Sequence, residues 1–185
     1  MEDNPYMNNF SIPVLGFSAF SGTGKTTLLT KLIPLLKAEG LRIGLVKHAH
    51  HNFNIDHPGK DSYRLREAGA SQVMVASRKL KAWICERADE DIEPTLEELL
   101  ATFETDSLDL ILLESFKHGE FPKIELHRPA LGKPLMFPDD DHVIAIASDD
   151  VLPIDSGALP KLDLNVPSQL RDFILYDFLK LPKQA

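Results

Sequence analysis

Cysteine is nearly absent from this sequence: Cys85 stands alone among 185 residues. An intrachain disulfide is excluded, and so is a metal site built from a cysteine cluster. A chain this long buries roughly 70% of its unfolded surface and needs neither staple. Long apolar runs are missing as well. No stretch approaches the ~18 residues of a bilayer span, and Met1 to Phe10 has neither the basic region nor the apolar core of an export signal. Residues 1–11 therefore read as a polar leader on a cytoplasmic chain with no membrane partner.

Positive charge is scarce, with 20 Lys+Arg against 28 Asp+Glu and a net charge of −8. Clustered cations are what hold phosphate backbones, so a general nucleic-acid binder is excluded. A single nucleotide is a different matter, because one loop holds one polyphosphate in a protein of any net charge. Repeats, low-complexity tracts and proline-rich linkers are also absent, which makes 1–185 a single domain.

What is present is an alternation of apolar runs and amphipathic segments. Ile12 to Ala19 reads as a buried strand opening into the turn Ser21-Gly22-Thr23-Gly24. Lys25 to Glu39 places Leu28, Leu29, Leu32, Ile33 and Leu36 at helical spacing, with Gly40 as C-terminal cap and a kink expected at Pro34. Leu41 to Lys47 is a second strand, so the unit implies a right-handed crossover in a parallel sheet. A long polar loop, His48 to Gly59, and a short helix, Lys60 to Ala68, come next. Gln72 to Ala76 and Leu80 to Cys85 suit a hairpin. After Pro94, the residues Leu96, Leu99, Leu100 and Phe103 mark another helix, and Leu108 to Glu114 a strand ending in a carboxylate. Strands at Lys123 to His127 and Val143 to Ala147 precede a terminal helix carrying Leu170, Phe173, Ile174 and Phe178. The fold class is α/β, a mostly parallel sheet with helices on both faces, and the glycine turn between its first strand and first helix makes it of the P-loop NTPase type.

Ala19-Phe-Ser-Gly-Thr-Gly-Lys-Thr26 follows the phosphate-loop pattern G-x-x-x-x-G-K-[ST] except for Ala at the first glycine. The chemistry requires this spacing. Several backbone N–H groups must converge on one polyphosphate at a helix N-terminus, and Gly22 and Gly24 keep side chains out of the approach. Ser21 to Thr27 would hold the phosphates. Lys25 reaches the β- and γ-phosphates, and the Thr26 hydroxyl can coordinate Mg²⁺. Glu114, at the carboxyl end of its strand, is the candidate carboxylate behind that metal, though a strand-end Glu can also be merely solvated.

Four of seven histidines fall between His48 and His57. A transition-metal site, a phosphate-proximal or partner-binding loop, and a solvated surface loop all suit this pattern. Asp56 and Asp61 are the nearest acids and could orient an attacking water or join the Mg²⁺ shell. Asp61 has a second role open to it, since a carboxylate at a helix start contributes ~0.3–1 kcal/mol. Lys60, Arg64 and Arg66 make the segment locally basic.

These residues resemble the molybdopterin-guanine dinucleotide biosynthesis protein B (MobB) family. The resemblance rests on Phe17 to Leu28, on Val46-Lys-His-Ala-His-His51, on Asp56-His-Pro-Gly-Lys-Asp-Ser62 with Arg64 and Glu67 to Ala70, and on Glu114-Ser-Phe-Lys117 leading to Pro122-Lys-Ile-Glu125. It implies a GTP-binding protein, a weak GTPase that assists attachment of a guanosine nucleotide to molybdopterin beside the transferase that couples them. It also implies a homodimer, Mg²⁺ on Thr26 and Glu114, and Asp56 and Asp61 on the γ side of the nucleotide.

Two departures qualify the match. Phe20 stands where dimeric ATPase relatives place a trans-acting lysine. A strict Asn-Lys-x-Asp guanine motif is missing, and the nearest substitute is Ala147-Ser-Asp-Asp150, where Asp149 or Asp150 could accept from guanine N1 and N2. Two other functions share the phosphate loop: an ATP-dependent small-molecule kinase, and a metal-delivery GTPase using the histidine loop.

Overall fold

The computed structural model describes residues 10–49, 55–87, 92–116 and 119–183. They divide into two compact units, one formed by residues up to His48 together with those from Phe103 onward, the other spanning Ala49–Thr102.

The first unit is built on a six-stranded sheet. Its strands are β1 (Val14–Ala19), β2 (Ile43–Lys47), β5 (Leu110–Glu114), β6 (Lys123–His127), β7 (Val143–Ser148) and β8 (Lys161–Asp163), in the order β2-β5-β1-β6-β7-β8. Every pairing is parallel. Parallel strands of this kind are buried on both sides, which is why Leu-Ile-Leu-Leu of β5 is continuously apolar and fully enclosed. β8 was not legible in the sequence. Three residues with only Leu162 apolar give no periodic signal.

Helix α1 (Lys25–Ala38) follows β1 directly and runs through Pro34 as one element. Its leucines 28, 29, 32 and 36 pack on Leu15, Phe17, Leu110, Leu112, Ile124 and Leu126. The terminal helix α4 (Pro167–Asp172) covers the same face and continues as a π-helical stretch, Phe173–Phe178, which adds Phe173, Ile174, Leu175 and Phe178 to that core. On the opposite face a 3₁₀ turn, Phe137–Asp139, packs down through Phe137 onto Leu135, Val143 and Ile146.

β6 is unusual. It is buried along its whole length, yet Lys123, Glu125 and His127 alternate with the apolar Ile124 and Leu126. The polar row faces away from α1. Glu125 accepts hydrogen bonds from the backbone N–H groups of Met136 (2.8 Å) and Phe137 (2.9 Å), and Lys123 donates to Asp140 at 2.5 Å. These bonds offset the cost of burying the Glu125 and Lys123 side chains.

The second unit holds α2 (Asp61–Glu67), the antiparallel hairpin β3 (Gln72–Ala76) and β4 (Lys81–Cys85), and α3 (Leu96–Leu100). Thr95 starts α3 with a reciprocal capping box: its side chain accepts from the Glu98 N–H, and the Glu98 carboxylate accepts from the Thr95 N–H. The hairpin leaves Met74, Val75, Leu80 and Trp83 exposed. No helix among the described residues is long and apolar enough to cross a membrane.

Candidate functional site

The strand-to-helix turn 19–25 lies at the carboxyl edge of the sheet. Gly22 and Gly24 adopt φ of 84° and 96°, a region that residues with a Cβ rarely enter. Thr23 is buried and locks the turn, its hydroxyl donating to the Phe20 carbonyl at 2.8 Å. The first helical amide to bond back is Leu28, to the Gly24 carbonyl at 2.9 Å. The amides of Thr26 and Thr27 precede it in the first turn, at the helix N-terminus where backbone N–H groups bind anions.

Thr26 and Glu114 come together here. The Thr26 hydroxyl donates to Glu114 Oε1 at 2.6 Å, while Lys47 Nζ lies 3.7 Å from the other carboxylate oxygen. Glu114 is 4% exposed, so it is not the solvated strand end that the sequence left open. One hydroxyl and one carboxylate make a hard oxygen donor pair, suited to Mg²⁺, which takes few protein ligands and fills its shell with water and phosphate. Among the described residues no group of three or more His, Cys, Asp or Glu is placed to hold a metal. His50 and His51 lie outside the described residues.

The backbone just after Glu114 is strained, with Ser115 at φ 72°. That turn brings the Phe116 carbonyl to the Ser18 hydroxyl (3.4 Å) and the Phe116 ring to 5.2 Å from the His48 ring.

A cavity of about 710 Å³ lies against β7 and β8, lined by Ile146, residues 148–155, the three residues of β8 and Gln169. Asp149 lies on its edge. One oxygen, Oδ2, accepts from Arg128 Nη1, and the other, Oδ1, is buried without a hydrogen-bond partner. Asp150 also lines the cavity, and its carboxylate is exposed and accepts from the Val151 N–H at 2.7 Å. The same Arg128 donates through Nε to the Thr23 carbonyl at 2.8 Å. Its neighbour His127 is 3% exposed with Nε2 unpartnered, and burial holds its pKa below the usual histidine value against the opposing pull of Asp149. Sequence reasoning missed Arg128. Its one signal was position, as the first residue past a strand at the ligand edge of a parallel sheet.

Asp56 and Asp61 belong to the second unit. Asp56 Oδ1 accepts from the Ser62 hydroxyl (3.1 Å) and the His57 N–H (3.0 Å), with Oδ2 buried and unpartnered. Asp61 occupies the first turn of α2, where its charge favours the helix.

Comparison with known proteins agrees with this geometry. The chain is 51% identical over 165 residues to a molybdopterin-guanine dinucleotide biosynthesis adapter protein of Escherichia coli K12, covering 89% of this chain and 92% of that protein. It is 44% identical over 170 residues to the adapter protein of that name from Haemophilus influenzae, covering 91% and 90%. A crystal structure of Bacillus subtilis MobB superposes with a TM-score of 0.69 at 23% identity, over 94% of this chain and all of that one, and so shares the fold. Residues 14–149 match the model of the family described as molybdopterin guanine dinucleotide synthesis protein B. This chain, with its glycine loop, its Thr26–Glu114 pair and its all-parallel sheet, belongs to the MobB family.

Proposed function

We propose that this chain binds GTP with Mg²⁺ and serves as an accessory protein in attaching a guanosine nucleotide to molybdopterin during molybdenum cofactor biosynthesis. The observation that carries the nucleotide reading is the 2.6 Å contact of Thr26 with Glu114 at the mouth of the glycine loop. Ser21 to Thr27 hold the phosphates, Lys25 supplies charge to the β- and γ-phosphates, and Thr26 and Glu114 hold the metal. When bound, Mg²⁺ neutralises phosphate charge.

Guanine occupies the cavity after β7, with Asp149 accepting from its N1–H and N2–H groups. Support comes from Asp149 lining that cavity with its Oδ1 unpartnered. GTP hydrolysis is weak, with Asp56 and Asp61 as the acids that orient water. The protein acts in the cytoplasm beside the guanylyl transferase. It is a homodimer, a reading supported by the exposed Met74 and Trp83 paired across the hairpin.

Isothermal titration with GTP and ATP in Mg²⁺ tests the central reading. A clear preference for GTP is expected, and equal affinity would overturn it. Trp83→Ser is expected to shift sedimentation from dimer to monomer.

A further inference from the structure

We infer that Arg128 is the positioning residue for base recognition, its guanidinium fastening the Thr23 peptide of the phosphate loop to the Asp149 carboxylate at the edge of the cavity. The inference rests on the guanine-nucleotide reading above and deepens it. Arg128 Nε donates to the Thr23 carbonyl at 2.8 Å, and Nη1 donates to Asp149 Oδ2. A third nitrogen, Nη2, passes 3.6 Å from where a Cβ on Gly24 would stand. A guanidinium is a rigid planar fork, so satisfying two acceptors with it fixes their relative placement.

The consequence for Asp149 is directional. Arg128 holds Oδ2, and the other oxygen, Oδ1, is buried without a hydrogen-bond partner. Guanine presents two N–H donors on one edge. Adenine presents an unprotonated ring nitrogen there, which would face the carboxylate lone pairs, and a buried acceptor left unmatched strongly disfavours the wrong ligand. The guanidinium also balances the Asp149 charge beside the buried His127. Thr23, the other anchor, is itself immobilised by its bond to Phe20. Base recognition and phosphate grip are thus joined through one side chain that bonds to both Thr23 and Asp149.

The test measures dissociation constants of the full chain for GTP, ATP and inorganic tripolyphosphate in Mg²⁺, with wild type, Arg128→Gln, Arg128→Lys, Asp149→Asn and the double variant Arg128→Gln/Asp149→Asn. Arg128→Gln is expected to reduce the GTP-over-ATP ratio about tenfold, as far as Asp149→Asn does, with no further loss in the double variant. Tripolyphosphate affinity should change by less than about threefold, because the phosphate contacts are made by other groups. Arg128→Lys keeps the charge but not the fork, and should not restore the ratio. It also carries the test if the glutamine variant fails to fold. An unchanged ratio in both Arg128 variants, with Asp149→Asn losing it, overturns the role of Arg128 alone. Equal loss for all three ligands marks a structural role and overturns it too. Wild type with no preference for GTP overturns the guanine reading and the inference with it.

Discussion

Thr26 on the first turn of α1 and Glu114 at the end of β5 meet through a 2.6 Å hydrogen bond, 88 residues apart in sequence. Glu114→Gln keeps an acceptor for the hydroxyl and removes the charge. In titrations with Mg²⁺ and with EDTA, this variant is expected to lose most of the Mg²⁺-dependent gain in GTP affinity, roughly tenfold or more, while metal-free affinity stays within about threefold. Retention of the full Mg²⁺ dependence would remove Glu114 from the metal. Lys25→Ala should abolish measurable GTP binding.

Gly16 is needed for space. A Cβ there would come within 2.5 Å of the ring of Phe121, which is 2% exposed. Gly16→Ala is expected to destabilise by ~1–3 kcal/mol in urea unfolding. Combined with Phe121→Leu the cost should be less than additive, because the smaller side chain vacates the contact.

Glu125 is completely buried, and burial pushes its carboxyl pKa up against the two backbone bonds that pull it down. Glu125→Gln would turn an NH₂ donor toward one of two N–H donors. A loss of ~1–3 kcal/mol in denaturant unfolding is expected from the mismatched group. An unchanged midpoint would show that the 136–137 turn does not depend on the carboxylate.

Asp109 accepts from Arg42 through both carboxylate oxygens, and chiefly these side-chain bonds bring its pKa down to about 2. A folded-state pKa below the unfolded one gives stability that is present above about pH 3.9 and is lost as pH falls toward 2. Acid unfolding of Asp109→Asn should therefore be less steep across that window than wild type. The effect should be small, since the pair is substantially exposed and screened by salt.

The phosphate loop, Glu114 and the strands around them were legible because their constraints are local: glycines at required φ values, a continuous apolar run, a carboxylate at its end. The Lys123-Ile-Glu-Leu-His127 segment was legible as a strand only. Its alternation is the ordinary mark of one wet face, and nothing local announces that Met136, Phe137 and Asp140 return to cover Lys123 and Glu125. Arg128 was missed for the same reason, its Thr23 partner lying 105 residues away, and β8 because its three residues carry no periodic signal.

The polar row on β6 also constrains the order of folding. Glu125 and Lys123 cannot leave water until the turn at 136–140 arrives with its amides and Asp140, so the α1 side of the sheet can desolvate first while this side closes as one late cooperative step. Native-state hydrogen exchange should find the Met136 and Phe137 amides opening together, ahead of the β1 and β5 amides.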